Sequence, residues 1–130
     1  HGLRPRLHRH RQRFGRRRIG AFQPPRYSRS DRLMGRFGPA LAQADELVLA
    51  DIYAAGEDPI PGVTAEALAD AIRPQLPGRV HLARTLDDVV STVTALARAG
   101  DAVITLGAGS IGTVGPRVLE ALGRRAEGGS

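Results

Sequence analysis

From residue 19 onward, apolar and polar positions form blocks with the spacing of strands and helices. Four short apolar runs predict strands, and the second and fourth are unbroken runs typical of strands covered on both faces. These runs are Ile19 to Phe22, Glu46 to Ile52, Arg79 to Leu82 and Ala102 to Leu106. Helical spacing predicts four helices, over Asp31 to Ala44, Ala65 to Ile72, Leu86 to Ala99 and Gly112 to Leu122.

Residues at the ends of these blocks are those that usually begin and end helices. Thr64 and Thr85 precede the second and third helices, and Ser28 or Ser30 can cap the first. Gly100 is placed to end the third helix. Strands that alternate with helices predict βαβ units. We therefore expect an α/β, Rossmann-like fold: a mostly parallel sheet of about four or more strands with helices on both faces.

Composition limits the classes of protein that the chain can form. Its 130 residues and 13.8 kDa fit one domain. It has no cysteine, which excludes disulfides and thiolate metal sites. No apolar run approaches the roughly 20 residues that span a bilayer, and the N-terminal stretch lacks the apolar centre of a signal peptide. We therefore expect a cytoplasmic protein without a membrane partner.

Charge is distributed very unevenly along the chain. The net charge is +6, but residues 1–20 hold eight arginines and no acid, whereas residues 21–130 hold eleven arginines and thirteen acids. One interpretation is a basic tail that binds nucleic acid or anionic lipid through phosphates. The other is a disordered or out-of-frame arm, since every basic residue is Arg. The mildly acidic body disfavours nucleic acid, so the expected organisation is an arm (1–18), a domain (19–123) and a flexible tail (124–130).

Ligands of parallel sheets gather at the carboxyl ends of the strands, and the loop after the first strand carries two arginines there. Arg26 and Arg29 lie three residues apart where the strand gives way to a helix. Guanidinium groups bind carboxylate or phosphate with two parallel hydrogen bonds, so this turn is a candidate anion site. The alternative is a pair of solvated surface arginines.

Two further loops follow strands. Residues 51–64 form a long, acidic, proline-rich segment that is either functional or a surface crossover. Residues 107–112 match G-x-G-x-x-G, but the acid that should follow about 20 residues later on another strand is missing, which argues against a dinucleotide site. The chain contains no lysine, which excludes a Walker phosphate loop, and His81 has no partners with metal-ligand spacing.

Three segments, in this order along the chain, resemble the Mur ligases. The first is Phe22-Gln23-Pro24-Pro25-Arg26-Tyr27-Ser28-Arg29, which resembles the family's F-Q-P-H-R-Y-[ST]-R segment. The second, residues 51–63, is similar to D-I-Y-P-A-x-E-x-P-I-x-G-V, and the third, residues 106–109, to L-G-A-G. The resemblance covers residues 19–123 and points to the carboxy-terminal domain of the branch that acts on L-alanine.

This resemblance implies a cytoplasmic ligase of peptidoglycan synthesis that joins L-alanine to UDP-N-acetylmuramate with ATP and Mg²⁺. It implies that ATP and Mg²⁺ are bound mainly by central and N-terminal domains outside this chain. In the family, the carboxy-terminal domain presents the amino acid. Arg26, Tyr27 and Arg29 are then expected to bind substrate, and the expected cleft residues are Asp51, Tyr53, Glu57, Gly107 and Gly109. No residue is assigned a certain catalytic role, and no metal ligand is predicted.

The chain departs from the family pattern at several positions. Pro25 replaces a customary His, Ala54 a Pro, and Ser110 an Asp. The family's D-D-Y-x-H-H-P segment is not found upstream of Phe22. We therefore expect a partial ligase that is inactive alone. The alternative is a non-catalytic α/β module whose basic arm binds nucleic acid, and the loops do not distinguish alanine from glycine or serine.

Overall fold

Four parallel strands form a sheet at the centre of the protein. The computed structural model describes residues 17–33, 41–76, 78–107 and 109–129. The strands are β1 (Arg18–Gln23), β2 (Glu46–Leu49), β3 (Arg79–Leu82) and β4 (Ala102–Gly107). Their order across the sheet is β3-β2-β1-β4, and every neighbouring pair is parallel. The parallel α/β fold predicted from the alternating pattern is confirmed.

Helices cover both faces of this sheet. They are α1 (Tyr27–Leu33), α2 (Ala65–Ile72), α3 (Leu86–Leu96) and α4 (Val114–Gly129), with 3-10 helices at Arg73–Gln75 and Gly109–Thr113. Residues of α1 and α2 pack with Phe22, Leu47 and Leu49 on one face. Residues of α3 and α4 pack with Ile19 and Val48 on the other. The reversal of strand order at β1 explains this division, because right-handed crossovers in opposite directions lie on opposite faces.

The capping residues predicted for α2 and α3 are confirmed. The Thr64 hydroxyl accepts a hydrogen bond from the Ala67 N–H. The Thr85 hydroxyl accepts one from the Asp88 N–H, while the Asp88 carboxylate accepts one from the Thr85 N–H and completes a capping box. Both helices begin at the predicted residue because these side chains bond free N–H groups of the first turn.

Other helix bounds were wrong. α1 begins at Tyr27, four residues before the predicted start at Asp31, and its predicted continuation lies partly in residues 34–40, outside the described part. α3 ends at Leu96, not Ala99. α4 begins at Val114 and continues to Gly129, so residues assigned to a flexible tail are helical. The prediction ended this helix at Leu122 because the residues that follow are rich in glycine, but the arginines among them are good helix formers and the helix continues.

Strand β4 differs from the strand expected from its apolar run. β2 is buried along its whole length, as predicted, but Ile104 and Leu106 of β4 are 43% and 41% exposed. β4 lies at the edge of the sheet in the described part of the chain, next to β1 alone. An apolar run therefore marks a central strand in one case and an edge strand in the other, and it does not distinguish them.

The predicted arm overlaps the folded domain at Arg17 and Arg18. Arg18 is the first residue of β1. Arg17 Nη2 lies 2.8 Å from Asp101 Oδ2 and donates to the Leu96 carbonyl oxygen at 2.5 Å, and Arg17 Nη1 lies 3.6 Å from Glu46 Oε2. A single side chain thus joins the end of α3, the start of β4 and the start of β2. Arg17 and Arg18, which the prediction assigned to the arm, therefore belong to the folded part of the chain.

Glu46 and Asp101, the two carboxylates held by Arg17, are largely buried. Burial by itself raises the pKa of Glu46, but the hydrogen bond with His81, at 2.6 Å, and the charges of Arg79 and Arg17 lower it below its ordinary value. Burial likewise opposes the lowered pKa of Asp101, which results from hydrogen bonds donated by Arg17 and the Arg98 N–H. Both groups are therefore charged at neutral pH, and their cationic partners offset the cost of burial.

Replacement of Arg17 is expected to destabilise the fold. Arg17→Ala leaves the Asp101 carboxylate without its guanidinium partner and removes one of the positive charges beside Glu46. The free energy of unfolding at pH 7 should therefore fall by about 2–3 kcal/mol. Arg18→Ala is the matched control, since that side chain donates only to exposed Gln43. It should change stability by about 0.5 kcal/mol or less. Urea unfolding measures both values.

The effect of Arg17→Ala should also depend on pH. A carboxyl group whose pKa is lowered by folding stabilises the fold above its unfolded-state pKa, and this contribution is lost as the pH falls through the folded-state pKa. The stability difference between the parent and Arg17→Ala should therefore shrink as the pH is lowered from 7 to about 3. A difference that stays constant over this range would contradict the ion-pair role of Arg17.

Gly107 allows β4 to end against β1. It has φ of 116° and is paired with Gln23, and a Cβ added there would lie 2.0 Å from the Gln23 carbonyl oxygen. Gly107→Ala should therefore lower stability by about 2 kcal/mol or more. Gly112→Ala is the control, because an added Cβ there meets nothing within 4 Å. Equal melting temperatures of these two variants, measured by circular dichroism, would rule out the steric role of Gly107.

Candidate functional site

The carboxyl ends of the four strands lie at one edge of the sheet. β1 ends at Gln23 and β4 at Gly107, and these two residues are partners in the ladder. The loops after β1 and β4 diverge from this pair to opposite faces, since the strand order reverses between them. Open α/β sheets bind ligands in the crevice at such a reversal or beside it.

A pocket of about 470 Å³ opens at this edge, beside the ends of β2 and β3. Residues 59–65, which lead into α2, form its rim, and Ile52 contributes to its apolar wall. Its polar side chains include Tyr27, Asp51, Glu66 and Arg84. The pocket therefore combines the start of α1, the loop after β2 and the loop after β3.

Charges of both signs line the pocket. Arg84 Nη2 lies 2.5 Å from Glu66 Oε2, and Arg84 Nη1 lies 3.7 Å from Asp51 Oδ1. Burial raises the pKa of Asp51 above its ordinary value, against the opposing charge of Arg84. A hydrogen bond to its own backbone N–H and another from Arg84 lower the pKa of Glu66. Two acids beside one guanidinium suit a small ligand that carries an ammonium group and an anionic group.

Arg26 and Arg29, the predicted anion pair, lie outside this pocket. Arg26 directly precedes α1, its side chain is 55% exposed, and its Nε lies 3.9 Å from Glu57 Oε2. Arg29 is exposed, and its side chain makes no hydrogen bond or ion pair with the residues that the structure describes. Both side chains are exposed, so their guanidinium groups remain accessible to an anion.

Glu57 occupies the place that the sequence indicated for an external anion. Its Oε1 accepts a hydrogen bond from the Ser28 N–H at 3.1 Å, and its Oε2 accepts one from the Ser28 hydroxyl at 2.7 Å. These bonds lower the pKa of Glu57. The expected capping by Ser28 or Ser30 was wrong, because both serines lie inside α1 and not before it. The Ser28 hydroxyl donates to Glu57, and the Ser30 hydroxyl donates to the Pro25 carbonyl oxygen at 2.6 Å.

The remaining candidate residues are spread around the edge. Tyr53 is 42% exposed, and its N–H donates to the Pro24 carbonyl oxygen at 3.0 Å. Gly107 ends β4, and Gly109 begins the 3-10 helix that follows. Of the eight predicted residues, the structure places Tyr27 and Asp51 in the pocket and brings Arg26 to Glu57.

Two pocket residues were missed by the sequence analysis. Arg84 lies two residues after the end of β3 at Leu82, and Glu66 lies in the first turn of α2. The rule that ligands gather at the carboxyl ends of strands also applies to β3, but its loop is short and has no motif. Only the packing of α2 beside β3 brings these two side chains together.

Within the described ranges, no group of three or more His, Cys, Asp or Glu residues is placed to hold a metal ion. No described helix has both the length and the hydrophobicity needed to cross a membrane.

Comparisons with known proteins agree on one family. A family model described as "Mur ligase, glutamate ligase domain" matches residues 1–109. UDP-N-acetylmuramate--L-alanine ligase of Solibacter usitatus is 50% identical over 107 residues, which cover 82% of this chain and 22% of that protein. The protein of the same name from Anaeromyxobacter dehalogenans is 48% identical over 120 residues, covering 88% of this chain and 25% of the relative.

A solved structure supports the fold. The murein peptide ligase of Psychrobacter arcticus superposes with a TM-score of 0.57 at 21% identity, over 87% of this chain and 23% of that protein. The chain therefore spans about a quarter of the length of the curated relatives that it matches. Because the family model matches most of its residues, the chain belongs to the Mur ligase family and contains that family's glutamate ligase domain.

Proposed function

We propose that this domain presents the amino acid in an ATP-dependent ligase that joins L-alanine to UDP-N-acetylmuramate. The names of the relatives support the reaction and its two substrates. The observation that carries the role of this domain is the pocket with both charges, formed by Asp51, Glu66 and Arg84 at the carboxyl edge of the sheet. Free amino acids carry one ammonium and one carboxylate group, which this pocket can pair.

Asp51 and Glu66 would hold the ammonium group, and Arg84 the carboxylate. Asp51 is the better proton acceptor of the two acids, because burial raises its pKa. Transfer of a proton from the ammonium nitrogen to the Asp51 carboxylate would leave a neutral amine. Its lone pair could then attack the carbonyl carbon of the muramate carboxylate activated as an acyl phosphate, so that the amide C–N bond forms while the C–O bond to phosphate breaks and inorganic phosphate leaves. The apolar rim at residues 59–63 limits the space for the side chain.

Arg26 and Arg29, which do not line the pocket, would bind the second substrate. Their guanidinium groups are exposed at the same edge of the sheet and can pair with the carboxylate or phosphoryl oxygens of the second substrate. The described residues offer no group of three or more metal ligands, and the chain has no lysine for a phosphate loop. In the proposed ligase, ATP and Mg²⁺ would be bound mainly by other domains.

The role of the pocket can be tested by grafting the complete 130-residue chain in place of the matching segment of the Anaeromyxobacter dehalogenans relative. Arg84→Met should raise KM for L-alanine by about tenfold or more, because one bidentate charge pair is lost. Arg73→Met is the control, since Arg73 forms only an exposed pair with Asp70. Phosphate release against L-alanine concentration measures both. A parent graft that folds but lacks alanine-dependent turnover would overturn the proposed function.

Replacement of Arg26 or Arg29 tests the proposed binding of the second substrate. Arg26→Ala or Arg29→Ala in the same graft should lower alanine-dependent ATP turnover by about tenfold or more, because each removes a fixed cation from the reacting anions. KM for L-alanine should change less than kcat. If both variants turn over ATP as fast as the control variant Arg73→Ala, neither arginine acts in the site.

A further inference from the structure

The loop after β2 is fastened to the turn between β1 and α1. Four hydrogen bonds connect the two segments: Gln23 Nε2 to Asp51 O at 3.3 Å, Tyr53 N to Pro24 O at 3.0 Å, Ser28 N to Glu57 Oε1 at 3.1 Å and Ser28 Oγ to Glu57 Oε2 at 2.7 Å. Glu57 receives two of them. It is the residue of this loop whose side chain reaches α1.

A tight turn directs Glu57 back toward α1. The Glu57 N–H donates to the Ala54 carbonyl oxygen at 2.9 Å, and the two residues between them have φ values of 51° for Ala55 and 84° for Gly56. A left-handed conformation is unfavourable for alanine, so the contacts of the surrounding loop must offset it. The hydrogen bonds of Glu57 to Ser28 are placed to do so.

Arg26 lies beside the Glu57 carboxylate but does not form a hydrogen bond with it. Its Nε is 3.9 Å from Glu57 Oε2, which is within the range of charge attraction but too long for a hydrogen bond. Neither Nη group bonds to any residue in the described ranges. The guanidinium thus has a neighbour that orients it, and its two outer nitrogens remain available to a substrate anion.

We propose that Glu57 is a positioning residue of the ligase reaction: it fixes the start of α1 and thereby the direction of the Arg26 guanidinium. This inference rests on the proposed function, since it acts on a residue of that site. Glu57 stays charged at neutral pH because the Ser28 bonds lower its pKa. Its side chain is 32% exposed, so its removal should affect orientation more than stability.

The test uses the grafted ligase. Glu57→Ala should lower kcat/KM for L-alanine at least fivefold while the melting temperature changes by no more than a few degrees. Glu57→Gln keeps the shape and one acceptor oxygen, and should recover part of the loss. Asp58→Asn is the matched control: this neighbouring acid is exposed and bonds to no described residue, so its kcat/KM should equal that of the parent.

A double-mutant cycle with Arg26→Ala distinguishes positioning from a general structural role. If Glu57 acts through Arg26, Glu57→Ala should change kcat/KM less than twofold when Arg26 is already Ala. The full fivefold loss in that background, or parent activity of Glu57→Ala alone, would overturn the inference. If the parent graft is active and either contrary result is found, only the role of Glu57 is refuted. A parent graft that folds but is inactive refutes the proposed function itself.

Discussion

Hydrogen bonding of β1 along both of its edges is the constraint on which the rest of the molecule depends. β1 pairs with β2 from Ile19 to Phe22 and with β4 from Arg18 to Gln23. Because the chain adds β2 and β3 on one side and returns to add β4 on the other, both helix layers and the crevice at the carboxyl edge follow from this one position. Arg17 reinforces it from the opposite end of the sheet, where it joins β2, β4 and α3.

At the carboxyl edge of the sheet, the turn that carries Arg26 and Arg29 was predicted to bind an external anion. The Glu57 carboxylate of the chain itself lies at this turn. A carboxylate from a loop 29 residues away bonds the Ser28 N–H and hydroxyl and lies near Arg26. An external ligand loses translational entropy when it binds, whereas a carboxylate of the same chain does not. The turn is thereby set without any ligand, and the outer nitrogens of Arg26 and the guanidinium of Arg29 stay exposed.

Membership of the family and the geometry of the pocket are independent arguments for the proposed function. The relatives supply the reaction, although this chain matches only about a quarter of their length. The pocket supplies a chemical reason for the part that this domain plays: two acids and one arginine around a cavity of about 470 Å³ fit a small zwitterion.

Local patterns alone determined the fold class, the starts of α2 and α3 and the approximate place of each described strand, because capping hydroxyls and apolar runs act over a few residues. The end of β2 was wrong, since the strand stops at Leu49 and the prediction extended it to Ile52. The three motif segments also identified the family. Tertiary structure decided what depends on distant partners. Arg17 belongs to the fold because Asp101 and Glu46 lie beside it, and Ser28 donates instead of capping because Glu57 reaches it. Arg84 enters the site because α2 packs beside β3, which brings Glu66 to it. A single sequence carries no local signal for such pairs, since their energy arises only when folding brings the two side chains into contact.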